Sequence, residues 1–69
     1  MPLTMAAHGE PQIIRKIGGN PGVRKHLENL GFVVGGIVTV VSSLGGNLIV
    51  NVKESRIAIN REMAVKILV

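Results

Sequence analysis

The sequence predicts a small α+β domain that is mainly β. We expect five short strands curled into a barrel, with one short helix between the first two strands and a helical turn before the last. Short β-branched runs separated by turn signals such as Gly45-Gly46 fill residues 37–69, and one amphipathic segment precedes them at residues 21–30. Five short strands cannot bury a flat sheet in 69 residues, so closure into a single-domain barrel over residues 1–69 is expected.

The predicted helix has a clear start and a clear end. Asn20 suits the N-cap because its side chain can accept from a free amide of the first turn, and Pro21 loses nothing at the first helical position. Gly31 suits the left-handed residue after the helix, where Phe32 can fold back onto Leu27. The buried stripe, at spacing i, i+4, i+7, consists of Val23, Leu27 and Leu30. This face should close one end of the barrel.

Patterning along the chain predicts the other elements. A helical turn capped by Thr4 should precede a first strand at 12–17, where one of the adjacent Ile13 and Ile14 faces outward. After the Gly35-Gly36 turn, the run at 37–42 is apolar enough for a central strand covered on both faces. Further strands are expected at 48–53, with Leu48, Val50 and Val52 inward, and at 56–60, with Ile57 and Ile59 inward. A helical turn at 61–64 and a last strand at 65–68 should follow.

Charge and composition restrict the classes of function. Eight Lys and Arg against four acidic residues give a net charge of +4, which raises the possibility of an anionic partner. The basic residues are scattered and Phe32 is the only aromatic, so we expect no stable binding of nucleic acid, although a small basic barrel that binds it is an alternative.

The lack of cysteine fits a reducing compartment such as the cytoplasm. The longest apolar run, 30–41, is too short and too rich in glycine to span a membrane, and no signal peptide is evident.

Two segments carry a resemblance to a known family. Residues 30–35, Leu-Gly-Phe-Val-Val-Gly, match the pattern leucine, glycine, apolar, two residues, glycine. Residues 56–64 match an apolar-Ala-apolar strand followed by a polar residue, Glu and a small-residue turn. On these residues the chain resembles the ferrous iron transport protein A (FeoA) family over nearly its whole length. His8 stands where that family usually has proline.

The resemblance implies an SH3-like β-barrel and a role in ferrous iron uptake. It implies a non-enzymatic accessory, without a cofactor, that docks on the GTPase-coupled permease called ferrous iron transport protein B and modulates its assembly or activity. Such a protein would be cytoplasmic, or peripheral at the inner face of the membrane through its partner, and a monomer or weak oligomer. The resemblance extends to the SH3-like regulatory module of iron-dependent repressors, which is a second alternative.

Two candidate binding sites are better explained as ordinary structural features. The Gly18–Gly22 segment before the helix could hold phosphate and so regulate the permease's GTPase, but it matches neither the dinucleotide fingerprint nor the P-loop, which favours an ordinary N-cap turn. A site for a divalent metal, for which Fe²⁺ is the obvious candidate in an iron protein, would need several ligands close together. The spacing of the possible ligands along the sequence does not bring any two of them together locally. The residues in question are His8, Glu10, His26, Glu28 and Glu62. We therefore expect no specific metal site and no catalytic site.

Apolar residues left over from the core point to a docking surface. They are Phe32, Val33, Val34, Leu44 and Ile49, and the alternative for Phe32 and Val34 is that they cap the barrel. The predicted partner-binding residues are Arg24, Lys25, Glu28, Phe32, Val33 and Ile49. The residues to which we assign a structural role are Asn20, Pro21, Val23, Leu27, Leu30, Gly31 and Gly35.

Overall fold

The computed structural model describes residues 1–69 and is mainly β, with two helices. A 3₁₀ turn at Leu3–Met5 comes first. The strands are β1 (Pro11–Ile13), β2 (Lys16–Ile17), β3 (Ile37–Leu44), β4 (Asn47–Val52), β5 (Ser55–Asn60) and β6 (Ile67–Leu68), and the helices are α1 (Pro21–Leu30) and α2 (Arg61–Ala64). Neither helix has the length and apolar character needed to cross a membrane.

The strands form two sheets, and the predicted closed five-stranded barrel is wrong in this respect. An antiparallel sheet has the order β1-β3-β4-β5, and β2 pairs with β6 in a separate two-stranded sheet. The predicted first strand is split at Ile14 and Arg15. The Ile14 amide donates to the Gly36 carbonyl at 2.9 Å, whereas the Arg15 amide donates to the Leu68 carbonyl at 2.7 Å. The chain therefore leaves the four-stranded sheet after Ile14 and joins the two-stranded sheet from Arg15 onwards.

Strand β3 lies between β1 and β4, as predicted for a central strand, but only one of its faces is buried. Val38 and Val40 are buried while Ile37 is 58% exposed. No layer covers the outer face. The register shifts between Val40 and Ser42, which marks a β-bulge at Val41.

The core is a cluster of 15 apolar residues between the inner sheet face, α1 and the ends of the chain. The predicted inward positions of β4, Leu48, Val50 and Val52, are all buried. Of the adjacent isoleucines, Ile14 is buried and Ile13 is exposed, which confirms that one of the two faces outward. The helix contributes Leu27 to the core, with Val23 and Leu30 half-buried beside it.

Both ends of α1 are built as the sequence predicts. The Asn20 side-chain oxygen accepts from the Val23 amide at 2.9 Å. Gly31 has φ 111°, its amide donates to the Glu28 carbonyl, and the Phe32 amide donates to the Leu27 carbonyl. This pair of bonds is the Schellman ending. It directs Phe32 into the core and the chain towards β3.

Two caps elsewhere differ from expectation. The 3₁₀ turn begins after Pro2 without a side-chain hydrogen bond, so the prediction that Thr4 caps it is wrong. Asn60 was not predicted as a cap, yet its side-chain oxygen accepts from the Met63 amide at 2.8 Å. Asn20 and Asn60 therefore start the two helices in the same way.

Candidate docking surface

The outer face of the four-stranded sheet carries exposed apolar side chains at its β1–β3 edge. Ile13 and Ile37 are directly opposite each other in the ladder, and each is 58% exposed. Opposed residues of an antiparallel pair project from the same face, so the two side chains are neighbours. They form an isoleucine pair that contributes nothing to the core.

The turn that precedes β3 adds two valines. The Gly36 amide donates to the Val33 carbonyl at 2.9 Å, and Gly35 at the third position has φ 88°, the positive value that a type II turn requires there. Val34 at the second position of the turn is 65% exposed and Val33 is 36% exposed. We call the four residues Ile13, Val33, Val34 and Ile37 the outer patch.

Backbone bonds hold the outer patch rigidly. The Gly35 amide donates to the Ile14 carbonyl at 2.8 Å, and the Ile14 amide donates to the Gly36 carbonyl. The turn is thereby attached to the chain directly after Ile13. Such a patch can be presented to a partner with little loss of conformational entropy.

An open groove of about 410 Å³ adjoins the outer patch. It lies between the segment 31–37 and the outer face of β3 and β4, where its lining includes Val33, Ile37, Asn51 and Lys53. Lys53 is the only charged residue in the lining. Asn51 is held in place because its side-chain oxygen accepts from the Arg56 Nε at 3.2 Å. The groove therefore combines apolar side chains with a single basic one.

The predicted partner-binding residues do not all lie on one surface in the structure. Phe32 is completely buried, so its assignment to a docking surface is wrong, and the Schellman ending of α1 is the physical reason. Val33 belongs to the outer patch. Ile49 is half-buried on the same sheet face, two residues from Asn51. The three predicted residues on the exposed side of α1 are Arg24, Lys25 and Glu28.

Two other exposed or polar features stand apart from the outer patch. Leu44 is 76% exposed, but it lies at the far end of β3, about 23 Å along the strand from Ile37. His8 and Arg61 line a separate, smaller pocket of about 190 Å³ beside the Gly45-Gly46 turn. No three His or Glu side chains come together in an arrangement that could hold a metal ion.

The first turn of α1 has little capacity left for phosphate. Pro21 has no amide hydrogen, the Val23 amide is bound by the Asn20 side chain, and the Arg24 amide donates to the Asn20 carbonyl at 3.0 Å. Only Gly22 keeps a free amide in the first turn. This geometry favours the plain N-cap interpretation.

Sequence reasoning missed Ile13 and Ile37 as residues of the docking surface. A period-two alternation with Ile14 and Val38 indicates that both point outward, but not that they are neighbours. Their contact depends on the β1–β3 register, which pairs residues 24 positions apart along the chain and which no local pattern determines.

Comparison with known proteins places this fold in a family. The family model for the FeoA domain matches residues 1–69. A protein of Methanocaldococcus jannaschii, provisionally named Fe(2+) transport protein A, is 37% identical over 68 residues, which is 99% of this chain and 83% of that protein.

Solved structures agree with the family match. A crystal structure of an iron uptake regulatory protein, FeoA, superposes with a TM-score of 0.88 at 26% identity, covering 97% of this chain and 91% of the other. FeoA of Stenotrophomonas maltophilia has a TM-score of 0.83 at 26% identity over 99% of this chain and 87% of its own. That protein was crystallised with zinc and is described as an SH3 domain protein and a candidate ferrous iron transport activating factor. Chlorobium tepidum FeoA has a TM-score of 0.86 at 27% identity over 99% of this chain and 67% of its own. The SH3-like sheet, the Schellman-ended helix and the family match over all 69 residues together show that this chain belongs to the FeoA family of ferrous iron transport proteins.

Proposed function

We propose that this chain is a non-enzymatic cytoplasmic accessory of ferrous iron uptake. In this proposal it docks on the cytoplasmic part of the GTPase-coupled permease, ferrous iron transport protein B, and modulates the permease's assembly or activity. Membership of the FeoA family supports the link to ferrous iron transport. The outer patch supports docking as the means.

The observation that carries this proposal is the contiguity of the outer patch. Single exposed apolar side chains are ordinary on protein surfaces, whereas a cluster beside a groove is typical of an interaction site. Ile13 and Ile37 lie directly opposite each other across a ladder, and Val33 and Val34 belong to a turn bonded to the same strand end. A partner that covers these side chains gains the free energy of burying them.

Charge indicates the chemistry of the partner segment. The groove beside the outer patch contains Lys53, and Arg56 lies across the same sheet face next to Asn51. No carboxylate lines the groove. A segment that places apolar side chains on the outer patch and an acidic side chain near Lys53 would therefore be complementary. Arg24, Lys25, Glu28 and Ile49 would lie at the periphery of such an interface.

Charge-introducing substitutions in the outer patch test the proposal. We expect Val34→Asp and Ile37→Asp each to weaken binding to the purified, detergent-solubilised permease by at least about tenfold, since a buried unpaired carboxylate is costly. The matched control is Leu44→Asp, which adds the same charge to an equally apolar, more exposed position outside the patch. Amide NMR spectra verify that each variant keeps its fold.

The outcomes separate docking from the alternatives. Unchanged binding in both patch variants, with native spectra, would overturn the docking surface. An affinity that falls by about 10³-fold or more between about 50 mM and about 200 mM salt would indicate polyanion binding through scattered basic residues instead. Apolar docking predicts a weak dependence on salt.

A further inference from the structure

The smaller pocket of about 190 Å³ lies at the β3–β4 hairpin, at the opposite end of β3 from the outer patch. Four separate segments line it: the 3₁₀ turn, the loop before β1, the hairpin and the start of α2. The lining residues with polar side chains are Thr4, His8, Ser43, Asn47 and Arg61. We call this cavity the polar pocket.

Backbone hydrogen bonds hold these segments in place. The Gly9 amide donates to the Val40 carbonyl at 2.8 Å, which attaches the loop that contains His8 to β3. The Arg61 amide donates to the Gly46 carbonyl at 3.1 Å, which attaches the start of α2 to the hairpin turn. The 3₁₀ turn packs against α2. The polar pocket is therefore built by the fold, and its lining residues have defined positions.

The polar groups of the lining have unused hydrogen-bonding capacity. No hydrogen bond within the chain uses the side chain of any of the five polar lining residues. The amides of Gly45 and Gly46, which also line the pocket, donate to no other group of the chain. By contrast, the side chains of Asn20, Asn51 and Asn60, outside the pocket, each accept a hydrogen bond. Free polar groups that converge on one cavity are suited to bind a polar ligand.

The charge of the lining favours an anion. Arg61 carries a fixed positive charge, His8 adds a second basic side chain, and no carboxylate lines the pocket. A cation would therefore be repelled. Only two of the nine lining residues are apolar, so an apolar ligand would leave the polar groups without partners.

The number and arrangement of the donors favour phosphate over carboxylate. A carboxylate has two oxygens in one plane, and one arginine can bind both in a bidentate pair. A phosphate group is tetrahedral and accepts hydrogen bonds from several directions, as the hydroxyls of Thr4 and Ser43 and the guanidinium of Arg61 can supply. The volume of about 190 Å³ is more than ten times the roughly 10–15 Å³ that one water molecule needs, so a phosphate group fits.

We propose that the polar pocket binds the phosphate group of a small molecule, either inorganic phosphate or a phosphate monoester. Arg61 supplies the fixed charge, and the hydroxyls of Thr4 and Ser43 with the Asn47 amide group supply neutral donors. The site is distinct from the outer patch, and it adds a small-molecule ligand to a protein whose proposed role is to bind another protein.

Amide NMR titration at fixed pH tests the site, with sodium chloride used to keep the ionic strength constant. We expect inorganic phosphate and glycerol 3-phosphate to cause saturable shifts centred on His8, Gly45, Gly46 and Arg61. The dissociation constant should rise by at least about tenfold in Arg61→Gln, which removes the fixed charge. Arg24→Gln removes the same charge on α1, outside the pocket, and is the matched control that should leave binding unchanged.

A nearly isosteric substitution provides a second test. Asn47→Asp introduces a carboxylate into the lining, and repulsion should raise the dissociation constant by at least about tenfold. Asn29→Asp adds the same charge at an exposed position of α1 and is the control. Native amide spectra verify the fold of all four variants. Tighter binding of glycerol 3-phosphate than of inorganic phosphate would identify an esterified phosphate as the ligand, whereas equal affinities would identify the free anion.

Three results would overturn the proposal. Shifts that rise without saturation and extend equally to Lys53 and Arg56 would show only a general attraction of anions to a basic protein. Saturable binding that Arg61→Gln and Asn47→Asp leave unchanged would place the phosphate elsewhere. Equal binding of acetate would show that the pocket does not select phosphate. None of these measurements includes the permease, so failure here leaves the docking proposal intact.

Discussion

Ile13 lies directly opposite Ile37 in the β1–β3 ladder, and both side chains are mostly exposed. Two large β-branched side chains that contact each other across strands contribute about 0.2–1 kcal/mol to stability, far less than a buried pair. Their contribution to folding is therefore small. This makes them suitable positions at which to alter binding without unfolding the protein.

We expect replacement of both isoleucines by threonine to separate binding from stability. Threonine keeps the β-branch, so the free energy of unfolding should fall by no more than about 1 kcal/mol in urea denaturation. Affinity for the permease should fall because two apolar side chains of the outer patch are lost. A variant that binds as well as the wild type would show that the isoleucine pair lies outside the interface.

The N-cap of α1 is a second testable feature. Asn20→Ala removes the acceptor of the Val23 amide and should destabilise the protein by about 1 kcal/mol. Asn29→Ala, at an exposed position within the same helix, is the control and should be neutral or slightly stabilising. Thermal or urea unfolding followed by circular dichroism measures both. Equal effects in the two variants would contradict the capping role.

Gly31 is expected to tolerate no other residue without cost. A Cβ there would meet Val52 at 3.6 Å, an ordinary contact, so the penalty of Gly31→Ala comes from φ 111° and should be about 1–2 kcal/mol. Gly18→Ala is the matched control, because its nearest contact is also 3.6 Å and its φ is not positive. Urea denaturation should show little loss for Gly18→Ala. A small loss for Gly31→Ala would mean that the helix can end in another way.

Phe32 should matter for folding alone. It is the largest fully buried side chain, so Phe32→Ala should cost about 3–5 kcal/mol, which in a domain of this size removes much of the stability. Phe32→Leu preserves most of the volume and should remain folded. Once folded, that variant should bind the permease as the wild type does. Loss of affinity with a native spectrum would place Phe32 in the interface after all.

Much of the fold was predictable from local chemistry. Asn20, Pro21 and Gly31 determine where α1 begins and ends through hydrogen bonds and backbone angles that involve only near neighbours. The Gly45-Gly46 turn, with positive φ at both residues, similarly determines the β3–β4 hairpin. The same local rule correctly predicts that Phe32 turns back towards Leu27. It should therefore have excluded Phe32 from the docking surface.

The candidate site was predictable only in part. Val33 and Val34 were among the apolar residues left over from the core, but Ile13 and Ile37 were missed and Leu44 lies elsewhere. The outer patch joins residues from β1, a turn and β3, and its assembly depends on a register between distant segments. The polar pocket likewise joins side chains from four separate segments. Neither is expressed in a local pattern.

By itself, the sequence determined the helix boundaries, the hairpins, the inward faces of β4 and β5 and the resemblance to the FeoA family. Only the tertiary structure decided that the first strand divides between two sheets, that one face of β3 is exposed and that Ile13 lies opposite Ile37. The physical reason is the range of the interactions. Caps, turns and side-chain alternation act between residues a few positions apart, whereas the division at Ile14 and Arg15 depends on hydrogen bonds to Gly36 and Leu68, which only the folded chain brings within reach.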